Sequence, residues 1–310
     1  MKNKYYYFAK ACTFYGKTVR KLARRGYPVL DVAYQAFIKE TIKKDYADII
    51  AKYQNIDYKT TPQTDNYPIW IFWWQGLEKM PEVVRICYNS VIENAGKHPI
   101  HLITKENYRQ YISELPKLDD ILEHLRRGSL IYAHFSDIVR CYLLYVYGGA
   151  WVDATILLTD KIDNIVSNRV FVSGRRQLTE QNKKSITKGR WTTYFIFANK
   201  GNLLFKFLGE VLIRQIVWKG YIMDYFMLDF CFAIAYECVP FVKRIQEESP
   251  IYQNRIFDLL RHLNQEFDEA WYKSLIKTNP FLKLTYKRTW IEETKDHELT
   301  YYGWLKKRYL

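Results

Sequence analysis

No apolar run in this 310-residue chain reaches the ~20 uncharged residues that a membrane-crossing helix requires. The greasiest stretch, residues 225–242, is interrupted by Asp229 and Glu237 and is expected to be a buried helix. Cysteine is scarce and scattered: positions 12, 87, 141, 231 and 238 form no Cys-x-x-Cys pair and no zinc-type cluster. With no secretory leader in view, these thiols are expected to be free in a reducing cytoplasm. The standard phosphate and hydrolase signatures are also missing, with no G-x-G-x-x-G, Walker A, G-x-S-x-G or H-E-x-x-H. His98-x-x-His101 spans a proline and is read as incidental rather than as a metal pair. There is no internal repeat.

Acidic residues are absent from residues 1–30, which hold eight basic ones. Residues 174–191 hold six basic residues against Glu180, so the two segments account for +13 of the formal net charge of +14. The remaining body is nearly neutral, and the charge is local. In the first segment Tyr5, Phe8, Cys12, Tyr15, Val19 and Leu22 recur at helical spacing, with Lys10, Lys17, Arg20, Lys21 and Arg24 largely off that stripe. A basic amphipathic helix with aromatic residues suits an anionic membrane surface; the same stripe could also pack on the protein's own core. The second segment reads as a long polar loop, serving as a lipid-headgroup contact, a clamp on a polyanion or plain solvated chain. Twenty-seven Tyr and seventeen Phe suggest carbohydrate stacking, but an AT-rich genome would inflate the same residues.

The apolar pattern predicts an α/β fold, an open and mostly parallel sheet flanked by helices. A helical extension (1–60) precedes a main domain (61–310), with a turn-rich break at 60–68 between them. Strands are expected at 69–74, 99–104, 151–158, 169–173 and 192–198. Helices are expected from Pro81 to Gly96, around 106–114 and 119–127, from Ser129 as cap through Tyr147, and across most of the chain after residue 202. Within the main domain the strands fall at about 69–200, and the part at about 201–310 is mainly helical.

Unusual features are densest in residues 133–160. Asp137 and Arg140 lie three apart on one face of an otherwise apolar helix. Gly148–Gly149 makes a tight turn that allows close backbone approach. Asp153 then sits inside the apolar run WVDATILL, where a carboxylate needs a partner, a metal or a hydroxyl to hold. Open α/β sheets bind ligands outside the carboxyl ends of their strands, so this cluster is a candidate sugar-nucleotide pocket. Asp224 and Asp229, in YIMDYFMLDF, are candidates for a general base; the plainer alternatives are a helix cap and a buried, hydrogen-bonded acid.

The block SDIVRCYLLYVYGGAWVDAT resembles the core of the capsular polysaccharide synthesis protein family. That family is related to glycosyltransferases with a DxD-containing sugar-binding region, those of family 32 among them. The resemblance extends to IFWWQGLEKMPEVVRICYNSV upstream and to YIMDYFMLDF and KLTYK downstream, covering about residues 69–290. It implies a GT-A-like domain in a bacterial enzyme. It also implies transfer of a sugar from a nucleotide-diphosphate sugar to a growing capsular or other surface polysaccharide.

By position, Trp73 matches the aromatic residue that stacks on the nucleobase. Ser136, Asp137 and Arg140 match the residues holding sugar and ribose hydroxyls, with Gly148 and Gly149 between them and the next motif. Trp151 and Asp153 match the aromatic and first acidic positions of the DxD-like region. Thr155 stands where many relatives carry the second Asp, the usual ligand of Mn2+ or Mg2+. Either Asp153 holds the metal with help from diphosphate and water, or the basic 174–191 loop supplies the neutralising charge.

The implied protein is a cytoplasmic transferase lying peripherally on the inner face of the cell membrane through residues 1–27. Its acceptor would be a glycan or lipid-linked glycan, with no nucleic-acid partner. The alternatives are a basic nucleic-acid-binding protein, and a sugar-nucleotide-binding protein without turnover.

Overall fold

The computed structural model describes residues 4–59, 66–167, 169–180, 182–252 and 255–310, and the side chains from Tyr7 onward. The stripe residue Tyr5 and positions 60–65 of the turn-rich break therefore lie outside the described side chains and residues.

Three helices come first, α1 (Lys4–Arg24), α2 (Pro28–Asp45) and α3 (Ala47–Gln54). The main unit then alternates: β1 (Ile69–Phe72), α4 (Glu82–Asn94), β2 (Ile100–Ile103), α5 (Arg109–Ile112), α6 (Leu118–Arg126), α7 (Tyr132–Val146) and β3 (Gly149–Val152). Next come β4 (Ile156–Leu158), α8 (Ile162–Val166), β5 (Phe171–Ser173), β6 (Arg175–Arg176) and β7 (Phe195–Ala198). The rest comprises α9 (Leu203–Lys219), α10 (Met227–Cys238), α11 (Pro240–Glu247), β8 (Ile251–Tyr252), α12 (Asp258–His262), α13 (Glu269–Thr278), β9 (Phe281–Lys283) and α14 (Tyr301–Tyr309).

The central sheet has the order β2-β1-β3-β7-β5. β1 is parallel to both β2 and β3, while β7 is antiparallel to β3 and to β5, so β7 alone is reversed in that sheet. Alternation along the strands sends Trp70, Trp151 and Ile196 into one apolar layer and Ile69, Ile71, Ala150, Val152, Phe195 and Phe197 into the other. The first layer is built by α1–α3, α7, α9 and α10. Cys12 and Val19 of α1 belong to it, so the N-terminal helices pack on the main core.

Two local expectations change. Ser129 does not cap α7, whose N-cap is Ile131; its hydroxyl instead donates to the carbonyl of His124. The apolar run at 151–158 is two strands, β3 and β4, because the chain turns at Asp153–Thr155 and Ile156 N–H closes on the Asp153 carbonyl at 2.9 Å. β4 leaves the central sheet and pairs antiparallel with β9, placing Ile156 opposite Lys283.

Candidate active site

A cleft of about 460 Å³ opens at the carboxyl ends of β1 and β3. Phe72 at the end of β1 and residues 73–75 after it form one wall, α7 another, and the turn after β3 the floor; the 225–229 segment and residues 283–287 close it. Ligands of open α/β sheets bind at this end.

At the floor Asp153 is engaged on both oxygens. Its Oδ1 accepts from the Trp151 indole Nε1–H at 2.9 Å and from Arg140 Nη2 at 3.3 Å, while its Oδ2 accepts from Lys283 Nζ at 2.9 Å. Burial pushes the Asp153 pKa up, but Lys283 and Arg140, with the hydrogen bonds from Lys283 and Trp151, outweigh it and hold the carboxyl below the ordinary range. Arg140 is itself buried, its guanidinium lying 4.7 Å from the centre of the Trp151 ring. Its Nη1 is 3.2 Å from Asp137 Oδ1, a charge contact without hydrogen-bond geometry. Among the described residues, Arg140 Nη1 and Nε and Trp73 Nε1 have no hydrogen-bond partner although buried. Donors left unsatisfied in this way cost about 1–3 kcal/mol each, more where charged, and a polar ligand would recover it.

Asp137 and Asp229 also line the cleft. Burial raises Asp137 to about 7, with Arg140 opposing and Asp229 and Asp153 adding to the rise. Burial raises Asp229 to about 6, opposed by a hydrogen bond from Trp191 Nε1 at 3.0 Å and by Arg140. Both acids therefore change charge close to neutral pH.

Trp73, Ser136, Asp137, Arg140, Trp151, Asp153, Thr155 and Asp229 thus meet around one cleft. Three expected residues do not join them. Asp224 is fully buried and saturated: it accepts from Arg20 Nη1 and Nη2 at 3.0 Å, from Tyr34 Oη at 2.7 Å and from the Phe226 amide at 2.8 Å. Its role is to tie α1 and α2 to the cleft wall, not to reach substrate. Gly148 and Gly149 lie at the opposite end of β3 from Asp153. Their φ values of 70° and 96° are left-handed; a Cβ on Gly149 would stand 2.1 Å from the Pro68 carbonyl and one on Gly148 2.4 Å from the Lys200 amide nitrogen, so the close approach of β3 to β1 and to the end of β7 requires them.

None of the basic residues of 174–191 lines the cleft. Arg190 instead covers the rings of Trp191 and Tyr236, and Arg175 donates to the backbone carbonyls of Glu247 and Ser249. The cations of the cleft beyond Arg140 are Lys283 and Lys287. They are the first and last residues of the KLTYK segment, and only the β4–β9 pairing reveals the place of Lys283.

A divalent cation does not fit these residues. Asp153, the first acid of the motif, already accepts from two cationic side chains, and Thr155 offers a neutral hydroxyl where a second carboxylate is needed. Among the described residues no group of three or more His, Cys, Asp or Glu side chains could hold a metal. His98 and His101 are structural, the first stacked on Tyr67 and paired with Asp163, the second stacked on Trp70.

The family model described as capsular polysaccharide synthesis protein matches residues 31–305. The chain belongs to that family. It is also similar to the glycosyltransferase afumC of Aspergillus fumigatus, 25% identical over 184 residues that cover 56% of this chain and 46% of that protein. A second relative is the O-glycosyltransferase braB of Annulohypoxylon truncatum, 28% identical over 115 residues, covering 35% of this chain and 27% of that protein. The chain thus matches less than half the length of either relative, and both are fungal. Among solved structures it resembles PaToxG glycosyltransferase at a TM-score of 0.40, with 12% identity and coverage of 78% of this chain and 94% of that one.

Proposed function

We propose that this member of the family is a glycosyltransferase that takes a nucleotide-diphosphate sugar into the cleft and transfers the sugar to a glycan. One observation carries the reading: donors of Arg140 and Trp73 that have no hydrogen-bond partner lie at the carboxyl end of a mostly parallel sheet, beside carboxyl groups able to accept from hydroxyls. Trp73 would stack on the base, and its ring meets that of Tyr286 near perpendicular with centres 5.4 Å apart. Ser136, Asp137 and Arg140 line one wall, where a carboxylate and a guanidinium together discriminate vicinal hydroxyls. As the bond from the anomeric carbon to the diphosphate breaks, the acceptor hydroxyl bonds to that carbon and must lose its proton. Asp229, raised to about 6, is suited to receive it at neutral pH.

A thermal-shift screen across UDP-, GDP-, CMP- and dTDP-sugars tests the donor assignment, since a ligand selective for the native state raises the melting temperature. Stabilisation by one nucleotide class, lost in Trp73→Ala, is expected. No stabilisation by any of them would overturn it.

The acceptor, in this reading, is carried on a membrane lipid in surface polysaccharide synthesis, and the protein works at the cytoplasmic face of a bacterial membrane. Support comes from α1 and α2. They bury Cys12, Val19 and Tyr34 but leave Tyr7, Phe14, Tyr15, Val29, Val32 and Phe37 exposed, interleaved with exposed Lys17, Lys21, Arg24 and Arg25. Because α1 also carries core residues, point changes are the proper test. Phe14→Ser/Tyr15→Ser should lower binding to anionic vesicles while donor affinity holds; undiminished vesicle binding would exclude this face.

A further inference from the structure

We propose that Lys283 is the cation that neutralises the donor's diphosphate, so that the protein binds nucleoside diphosphates without a divalent metal. This rests on the glycosyltransferase reading of the same cleft.

The placement of Lys283 is enforced by backbone. β9 pairs with β4 so that Lys283 lies opposite Ile156, three residues after Asp153, and Leu284 N–H closes on the Thr155 carbonyl at 2.9 Å. The Lys283 side chain is only 20% exposed, its ammonium is 2.9 Å from Asp153 Oδ2 and it lies 5.3 Å from the Tyr194 ring centre. Asp153 therefore holds this ammonium at the floor of the cleft. An ammonium has three donors, and Asp153 uses one, leaving two for phosphate oxygens. Lys287 lines the same cleft as a more exposed second cation.

Charge bookkeeping favours an anion here. The cleft is lined by Asp137, Asp153 and Asp229 against Arg140, Lys283 and Lys287, and two of those three acids are raised to about 7 and about 6. Near neutral pH part of that acidic charge is lost on protonation, and the cleft becomes net positive. In transfer, the bond between the anomeric carbon and the diphosphate oxygen breaks with its electron pair going to that oxygen, whose new charge faces the ammonium. The acceptor's proton passes to Asp229. No metal is required for the balance.

The test is isothermal titration of the full chain, stripped of metal and held in EDTA, with UDP, GDP and their nucleosides. Mn2+ or Mg2+ is then added in place of EDTA. One diphosphate should bind in EDTA, and metal should change its Kd less than about threefold. Lys283→Ala should weaken the diphosphate by roughly 10- to 100-fold while the matching nucleoside keeps its affinity, and Lys283→Arg should recover most of the loss. Diphosphate binding that appears only with Mn2+ or Mg2+ would overturn the proposal while leaving the transferase reading intact. So would equal losses of diphosphate and nucleoside affinity in a folded Lys283→Ala protein. Failure of every nucleotide and nucleoside to bind, with metal or without, would overturn both. The wild-type EDTA arm decides the matter even if a variant fails to fold.

Discussion

Arg20 in the first helix grips Asp224, 204 residues later, through both terminal nitrogens at 3.0 Å. Tyr34 Oη donates to the same carboxylate at 2.7 Å, and the Phe226 amide donates from the cleft wall. Gly16 makes the approach feasible, since a Cβ there would lie 2.7 Å from both Asp224 Oδ2 and Tyr34 Oη. The N-terminal helices are thereby fastened to the 225–229 segment that borders the site.

Removing one partner leaves a buried charge uncompensated, which costs about 3–5 kcal/mol. Arg20→Ala should lower the melting temperature by several degrees and loosen the cleft wall, with Asp224→Asn showing a similar loss. Chemical denaturation read by tryptophan fluorescence would check it; a change below about 1 kcal/mol would refute a fastening role.

Asp229 predicts a pH profile. With its carboxyl at about 6, kcat should fall as pH drops through that value, because the base becomes protonated. Asp229→Asn should reduce kcat by roughly 10²–10⁴-fold and abolish that limb, with donor Kd little changed. Steady-state rates between pH 5 and 8 measure both.

Asp137 predicts a pH dependence of stability with a definite sign. Its folded value of about 7 lies above the 3.8 of an ordinary aspartate, so between those pH values the native state holds a proton that the unfolded chain has released. Stability contributed by this group therefore declines as pH rises from about 4 to 7, by on the order of 2–4 kcal/mol. Asp229 acts in the same direction over a narrower window. Asp137→Asn should flatten the fall in melting temperature across pH 4.5–7.5; an unchanged slope would exclude it.

Gly149→Ala separates packing from binding. The new methyl would stand 2.1 Å from the Pro68 carbonyl, at a φ of 96° that alanine resists. A loss of soluble, folded protein is expected. Any protein that does fold should retain donor affinity, because Gly149 lies at the far end of β3 from the cleft.

Much of this was readable from sequence where local pattern decides. The continuous run of Ile69–Phe72 announces a buried strand, and Gly148–Gly149 marks the end of a helix. Asp137, Arg140 and Asp153 stand out as ionic groups among apolar neighbours. Reading failed where distant chain decides. WVDATILL is apolar on both sides of Asp153, so no period betrays the turn that sends β4 to a different sheet. Asp224 resembles a free acid until Arg20 and Tyr34 are brought to it. Lys283 is one lysine among many until β9 pairs with β4. Of the cations of 174–191, conspicuous in sequence, Arg190 is absorbed by Trp191 and Tyr236, Arg175 by backbone carbonyls and Lys183 by Glu180.

The pairing of β4 with β9 bears on how this protein can be recombined. A chimera that joined residues up to about 200 from one relative to the remainder of another would bring together an acidic floor and a lysine selected in different backgrounds. Exchanging donor preference between family members should therefore require transplanting β9 together with the earlier half, as a matched graft.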